Sequence, residues 1–134
     1  MEKKEIAIYN ILDALNKDSG NIKLKAVIYH WDDCTCIQAT TLDGKSSCNN
    51  YLMNDDKYNL YFTDLFVDKE HRRKGVATLM WKFHIKLCGE FIRNSCLEAK
   101  EGTWVESWYE KLGYMVFDGY IIPPAKGNVL MVWP

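Results

Sequence analysis

Arg72, Arg73 and Lys74 stand side by side, directly before Gly75 and an apolar run that begins at Val76. Three cations on one turn ask for a local anion. If the run after Gly75 is a helix, its first turn adds unpaired N–H groups and partial positive charge at the same place. Gly75 has no Cβ and lets an anion approach the backbone, and Ala77 is the next small residue. Such a turn suits a phosphate or pyrophosphate, each well-placed cation contributing about 1.5–3 kcal/mol. A solvated basic turn is the other reading, and the spacing admits both. The phosphate-loop spacing G-x-x-x-x-G-K-[ST] and the dinucleotide spacing G-x-G-x-x-G are both absent.

Other residues carry chemistry of their own. Asp64 lies in the otherwise apolar stretch "YNLYFTDLFVD", where burial raises a carboxylate pKa toward neutrality. A hydrogen-bonded structural acid fits the same position. Cys34-x-Cys36 with His30 nearby raises the question of a metal, but residues two apart on a strand share one face and no second Cys/His pair lies at zinc spacing. The reading is no metal. His84 sits inside a helical apolar stripe and reads as a structural histidine. Of the five tryptophans, Trp31 and Trp104 are the candidates for lining a pocket.

The elements that must position these residues follow from periodicity. "EKKEIAIYNILDALNKDSG" puts Ile8, Ile11, Leu12 and Leu15 on one helical face. "NIKLKAVIYHW" and "CTCIQATTL" alternate as two strands of a hairpin around "WDDC". Residues 43–57 are polar and turn-rich and read as a loop. "YNLYFTDLFVD" reads as a strand buried on both faces. A helix from Gly75 to about Cys88–Phe91 follows, then the short strand "SCLEAK". The helix "TWVESWYEKLG" has Thr103 as its expected N-cap and Gly113 as its stop. Two final strands, "YMVFDGY" and "NVLMVWP", are joined by a loop holding Pro123-Pro124. The expected fold is α/β (α+β), with a mixed, mostly antiparallel twisted sheet and helices on both faces.

At 134 residues, 48% hydrophobic and 26% charged, the chain fits one globular domain over residues 1–134. Its net charge of −1 gives no global pull toward nucleic acid or membrane. The opening "MEKKEIAIYN" does not read as a signal peptide, and the five cysteines form an odd set. A cytoplasmic protein with reduced thiols is expected.

"LFVDKEHRRKGVATLM" resembles the acetyl-CoA signature of the GNAT (general N-acetyltransferase) superfamily, with its Q/R-x-x-G-x-G/A core at Arg72-Arg73-Lys74-Gly75-Val76-Ala77. "SWYEKLGY", Ser107 to Tyr114, resembles the family's second motif and follows at the usual distance. The order of elements fits as well. The likeness covers Leu60–Tyr114 and is weak over residues 1–57.

The resemblance implies transfer of acetyl from acetyl-CoA to a primary amine by direct attack in a ternary complex. It implies backbone groups near Leu65, Phe66 and Val67 on the thioester and pantetheine arm. Amides from Arg73 to Thr78 would wrap the pyrophosphate. Tyr109, otherwise a core tyrosine, matches the family's acid for the departing thiolate. Asp64 is the expected base, with Glu106 its rival. A different acyl-CoA and a non-catalytic binding or interaction module are the alternatives. The asparagine many members carry before the tyrosine is missing from "EGTWVE", and the N-terminal part has room for one clear helix where two are common. The acceptor is not named. Asp32-Asp33 and Asp55-Asp56 would suit a polycation, and a homodimer stays open.

Overall fold

The computed structural model describes residues 2–117 and 124–133. Among the described residues there are three α-helices: α1 Lys3–Asp18, α2 Val76–Phe91 and α3 Trp104–Lys111. The strands are β1 Leu24–His30, β2 Cys34–Thr41, β3 Ser47–Met53, β4 Asn59–Phe66, β5 Asn94–Lys100, β6 Met115–Val116 and β7 Asn128–Val132. They form one sheet in the order β1-β2-β3-β4-β5-β7-β6. Among the paired neighbours of the described residues, only β4 and β5 run parallel. The mixed, mostly antiparallel sheet is therefore the one expected.

The helices, however, share one face of the sheet. β4–α2–β5 and β5–α3–β6 are successive crossovers that move the same way across the sheet, and right-handed crossovers of that kind put both helices on one side. α1 joins them through Ile8 and Leu12, which enter the same core as Leu79, Met80, Phe83 and Leu87 of α2. Burial of each such side chain stabilises the fold by about 1.5–3 kcal/mol. The opposite face carries a stack of Tyr29 on Trp31, at 5.9 Å, and Trp31 on Tyr51, at 6.1 Å.

Three local expectations change. The stretch expected as a loop holds β3, whose Cys48, Asn50 and Leu52 point to the core while their neighbours are half-exposed. Its polar composition belongs to one wet face and to a buried asparagine. β4 is not buried on both faces: Leu60 and Phe62 are in the core, but Asp64 and Phe66 are exposed. Thr103 does not cap α3 with its side chain; its hydroxyl donates to the Lys100 carbonyl at 2.6 Å. Of "YMVFDGY" only Tyr114, β6 and Phe117 are described, and Pro123 lies outside the described residues. All five cysteines are free and buried. Burial pushes the Cys48, Cys88 and Cys96 thiols up to about 12, so none is a nucleophile at neutral pH.

His84 is fully buried, and desolvation lowers its pKa from 6.5 to about 3. Between those values the unfolded chain holds a proton that the folded chain refuses. Stability is therefore full above pH 6.5 and falls as pH drops toward 3, with a slope approaching about 1.4 kcal/mol per pH unit. The titratable groups beside it, Cys88 and Tyr114, have raised pKa values and do not change charge in this window. We expect urea midpoints of a His84→Gln variant to depend less on pH between about 6.5 and 4.5, above most carboxylate titration. An unchanged slope would remove His84 from the acid response.

Candidate active site

β4 and β5 pair only from Asn59↔Asn94 to Phe62↔Leu97. Beyond Phe62 the two strands part. The parting has a local cause in β4: Thr63 pairs with Asn49 and Phe66 with Ser47, so one extra residue is inserted on β4. Asp64 takes up the bulge with a φ of 55°, in the left-handed region. The gap is a cavity of about 980 Å³. Asp64, Leu65, Phe66 and Val67 line one wall; Glu98, Ala99 and Lys100 of β5 line the other, with Trp104, Trp108 and Tyr109 of α3.

The basic turn closes one end. Arg72, Arg73, Gly75, Val76, Ala77 and Thr78 all line the cavity, whereas Lys74 faces a smaller neighbouring cavity with Lys23. Arg73 and Gly75 both adopt positive φ, 62° and 83°. This brings the chain sharply round into α2, and a Cβ built on Gly75 would meet nothing within 4 Å. The first helical bond runs from Leu79 N–H to Gly75 C=O, at 3.0 Å. The N–H groups of Val76, Ala77 and Thr78 therefore have no partner within the helix. No acid stands in the first turn to neutralise it.

A brace from the β2–β3 turn fixes this end. His71, just before the cations, has its ring nitrogens 2.7 Å from Ser46 Oγ and 2.9 Å from Asp43 Oδ2. The Asp68 N–H donates to the same Ser46 oxygen at 2.9 Å. Asp43 is held down to about 2 by the Lys45 N–H, then by the Thr41 hydroxyl and His71. Part of the stretch expected as a loop thus anchors the anion turn. The sequence reading missed both His71 and Ser46, which lie 25 residues apart.

Tyr109 is 2% exposed yet lines the cavity. Burial, with the Tyr114 phenol beside it, pushes its own phenol up. No group among the described residues hydrogen-bonds its hydroxyl. Asp64 also lines the cavity but is exposed, accepting from Asn49 Nδ2 at 3.1 Å and Thr63 Oγ1 at 3.2 Å. The burial expected of it is absent. Glu106 does not line the cavity; Glu98, which the sequence reading passed over, does, and it accepts from Asn128 Nδ2 at 2.9 Å. Its one signal was an acid in the short strand "SCLEAK". Trp104 lines the cavity and is 71% exposed, while Trp31 is part of the aromatic stack. Among the described residues no His, Cys, Asp or Glu group is placed to hold a metal, and His30 bonds Glu5 at 2.8 Å.

Residues 32–116 match the family model of an acetyltransferase (GNAT) domain. No curated protein matches the chain at a significant level. A GNAT family acetyltransferase from Elizabethkingia anophelis, solved with acetyl-CoA bound, has the same fold with a TM-score of 0.62 at 11% identity, over 85% of this chain and 98% of that one. An acetyltransferase from Streptococcus agalactiae gives 0.61 at 13% identity, over 73% of this chain and 66% of that one. Arabidopsis thaliana Naa50, in complex with the bisubstrate analogue CoA-Ac-MVNAL, gives 0.54 at 16%, over 72% and 70%. At these identities the likeness is one of fold. The family match rests on the sequence itself and takes in β4, the anion turn and α3; on it, the chain belongs to the GNAT acetyltransferase family.

Proposed function

We propose that this protein is an acetyl-CoA-dependent N-acetyltransferase whose acceptor is a primary amine carrying positive charge. The observation that carries the reading is the cavity itself. Its lining brings together a cationic, glycine-containing helix start, the carboxylates of Asp64 and Glu98, and Tyr109, whose hydroxyl has no hydrogen-bond partner among the described residues. That arrangement fits a molecule with phosphates at one end and an activated acyl group at the other. Acetyl-CoA, which the Elizabethkingia protein holds, would supply the acetyl thioester.

The chain's own residues would divide the work. Arg72, Arg73 and the free N–H groups of Val76, Ala77 and Thr78 hold the pyrophosphate. Leu65, Phe66 and Val67 lie beyond the last β4–β5 pair, so their backbone groups on that side are open to the pantetheine arm and thioester. Asp64 and Glu98 draw in a cationic amine and take its proton, directly or through water, freeing the lone pair for attack. Tyr109 gives its hydroxyl proton to the sulfur as the C–S bond breaks; its raised pKa keeps that proton in place until then. Attack is direct, since every cysteine is buried and none lines the cavity.

A thiol-release assay with acetyl-CoA over a panel of amines tests this. Release is expected to depend on the amine, with diamines and lysine-like acceptors ahead of neutral hydroxylated amines. Acetyl-CoA binding without amine-dependent release across the panel would leave a binding module and sink the reading.

A further inference from the structure

A line of polar groups joins α2 to β3, β5 and Tyr114, and the steps above do not use it. Trp81 Nε1 lies 2.9 Å from Tyr114 OH, which lies 2.5 Å from Ser95 Oγ. Ser95 Oγ is 2.6 Å from His84 Nε2, and His84 Nδ1 is 2.9 Å from Asn50 Oδ1. Asn50 Nδ2 donates to the Ile37 carbonyl at 3.3 Å.

Donor counting assigns every proton. The Asn50 amide nitrogen faces a carbonyl, so its oxygen faces His84 and Nδ1 carries the hydrogen. A neutral His84 then has a bare Nε2, which accepts from Ser95. Cys88 Sγ, 3.6 Å away, adds only a weak second donor. With its proton spent, Ser95 accepts from Tyr114, and Tyr114 accepts from Trp81. All the bonds point one way, an arrangement in which each bond polarises the next.

The line is placed where the cavity is made. Asn50 pairs across β3–β4 with Phe62, the last β4 residue that also pairs with β5, and Ser95 pairs with Leu60 two residues before the strands part. The His84 ring lies against Phe62, with centroids 4.8 Å apart. At its other end Tyr114 packs on the Tyr109 ring at 5.6 Å and donates its N–H to the Tyr109 carbonyl at 3.1 Å. With no hydrogen bond on the Tyr109 hydroxyl from the described residues, the ring's neighbours among them set its place. A well-packed apolar set would hold a core about as well, so this polar line is better explained by the geometry it imposes.

We propose that His84, Ser95 and Tyr114 are positioning residues for Tyr109, holding its hydroxyl at the reacting sulfur through the anchored Tyr114 ring. The proposal rests on Tyr109 being the acid. The test is a double-mutant cycle of Ser95→Ala with Tyr109→Phe, reading kcat where chemistry limits turnover, and acetyl-CoA affinity by calorimetry. Ser95→Ala alone should lower kcat roughly tenfold with affinity within about twofold, and in the Tyr109→Phe background it should change kcat less than about twofold. Tyr114→Phe keeps the ring and should behave the same way if Ser95→Ala does not fold. Equal losses in both backgrounds, or wild-type kcat in both relay variants, would overturn the positioning role while leaving the acid in place. Wild-type kcat in Tyr109→Phe alone would instead overturn the acid, and this proposal with it.

Discussion

Tyr109→Phe lowers kcat by roughly 10–10³-fold and leaves acetyl-CoA affinity nearly unchanged. The substitution removes one oxygen from a buried ring packed against Trp108 and Tyr114, at 5.0 and 5.6 Å. Because no group among the described residues bonds that oxygen, its loss strands none of them and the fold has little to lose. A CoA thiolate leaving without a nearby O–H must be protonated by water, and that difference is the expected loss of rate. The phenol is pushed up by burial, so it stays protonated through the neutral range and the wild-type rate should show no acid-group limb there. Pre-steady-state thiol release checks the rate, and calorimetry checks the affinity. Wild-type kcat, where chemistry is shown to be slow, would take the tyrosine out of the mechanism.

Gly75→Glu abolishes most acetyl-CoA binding, raising Kd roughly 10²–10³-fold. A Cβ at this position meets nothing within 4 Å, so the new side chain has room to start and brings a carboxylate to the phosphate site, at the cost of strain at a φ of 83°. Two unit charges about 4 Å apart repel by about 4 kcal/mol at an effective dielectric of 20, which is roughly 10³-fold in Kd before solvent screening. Gly75→Ala is the control. It carries the strain of a side chain at a φ of 83° without the charge, so it should lose about 1 kcal/mol of stability and less than about tenfold in affinity. A folded Gly75→Glu protein with parental affinity would place the phosphates elsewhere.

What could be read along the chain was whatever depends on neighbours in sequence. The anion turn is three cations, a glycine and a helix start within a few residues, and α2 and α3 announce themselves by apolar spacing. The pairing of β1 with β2 followed from alternation around a short turn. The cavity wall at Leu65–Val67 and the place of Tyr109 came with the motifs. Other features depend on residues far apart in sequence, and these needed the fold. β3 looked like a loop because its buried face is built from Cys48 and Asn50, and Asn50 is tolerable in a core only once His84 and Ile37 satisfy it. β4 looked doubly buried because an apolar strand end facing a ligand cavity has the composition of one facing a core. The bulge that exposes Asp64 is an offset against β3, invisible without its partner. Glu98 joins the site only because β5 parts from β4, and His71 becomes a brace only when Asp43 and Ser46 fold onto it. The helices share a face because crossover handedness is a property of strand order, and strand order is decided by which distant apolar surfaces find each other.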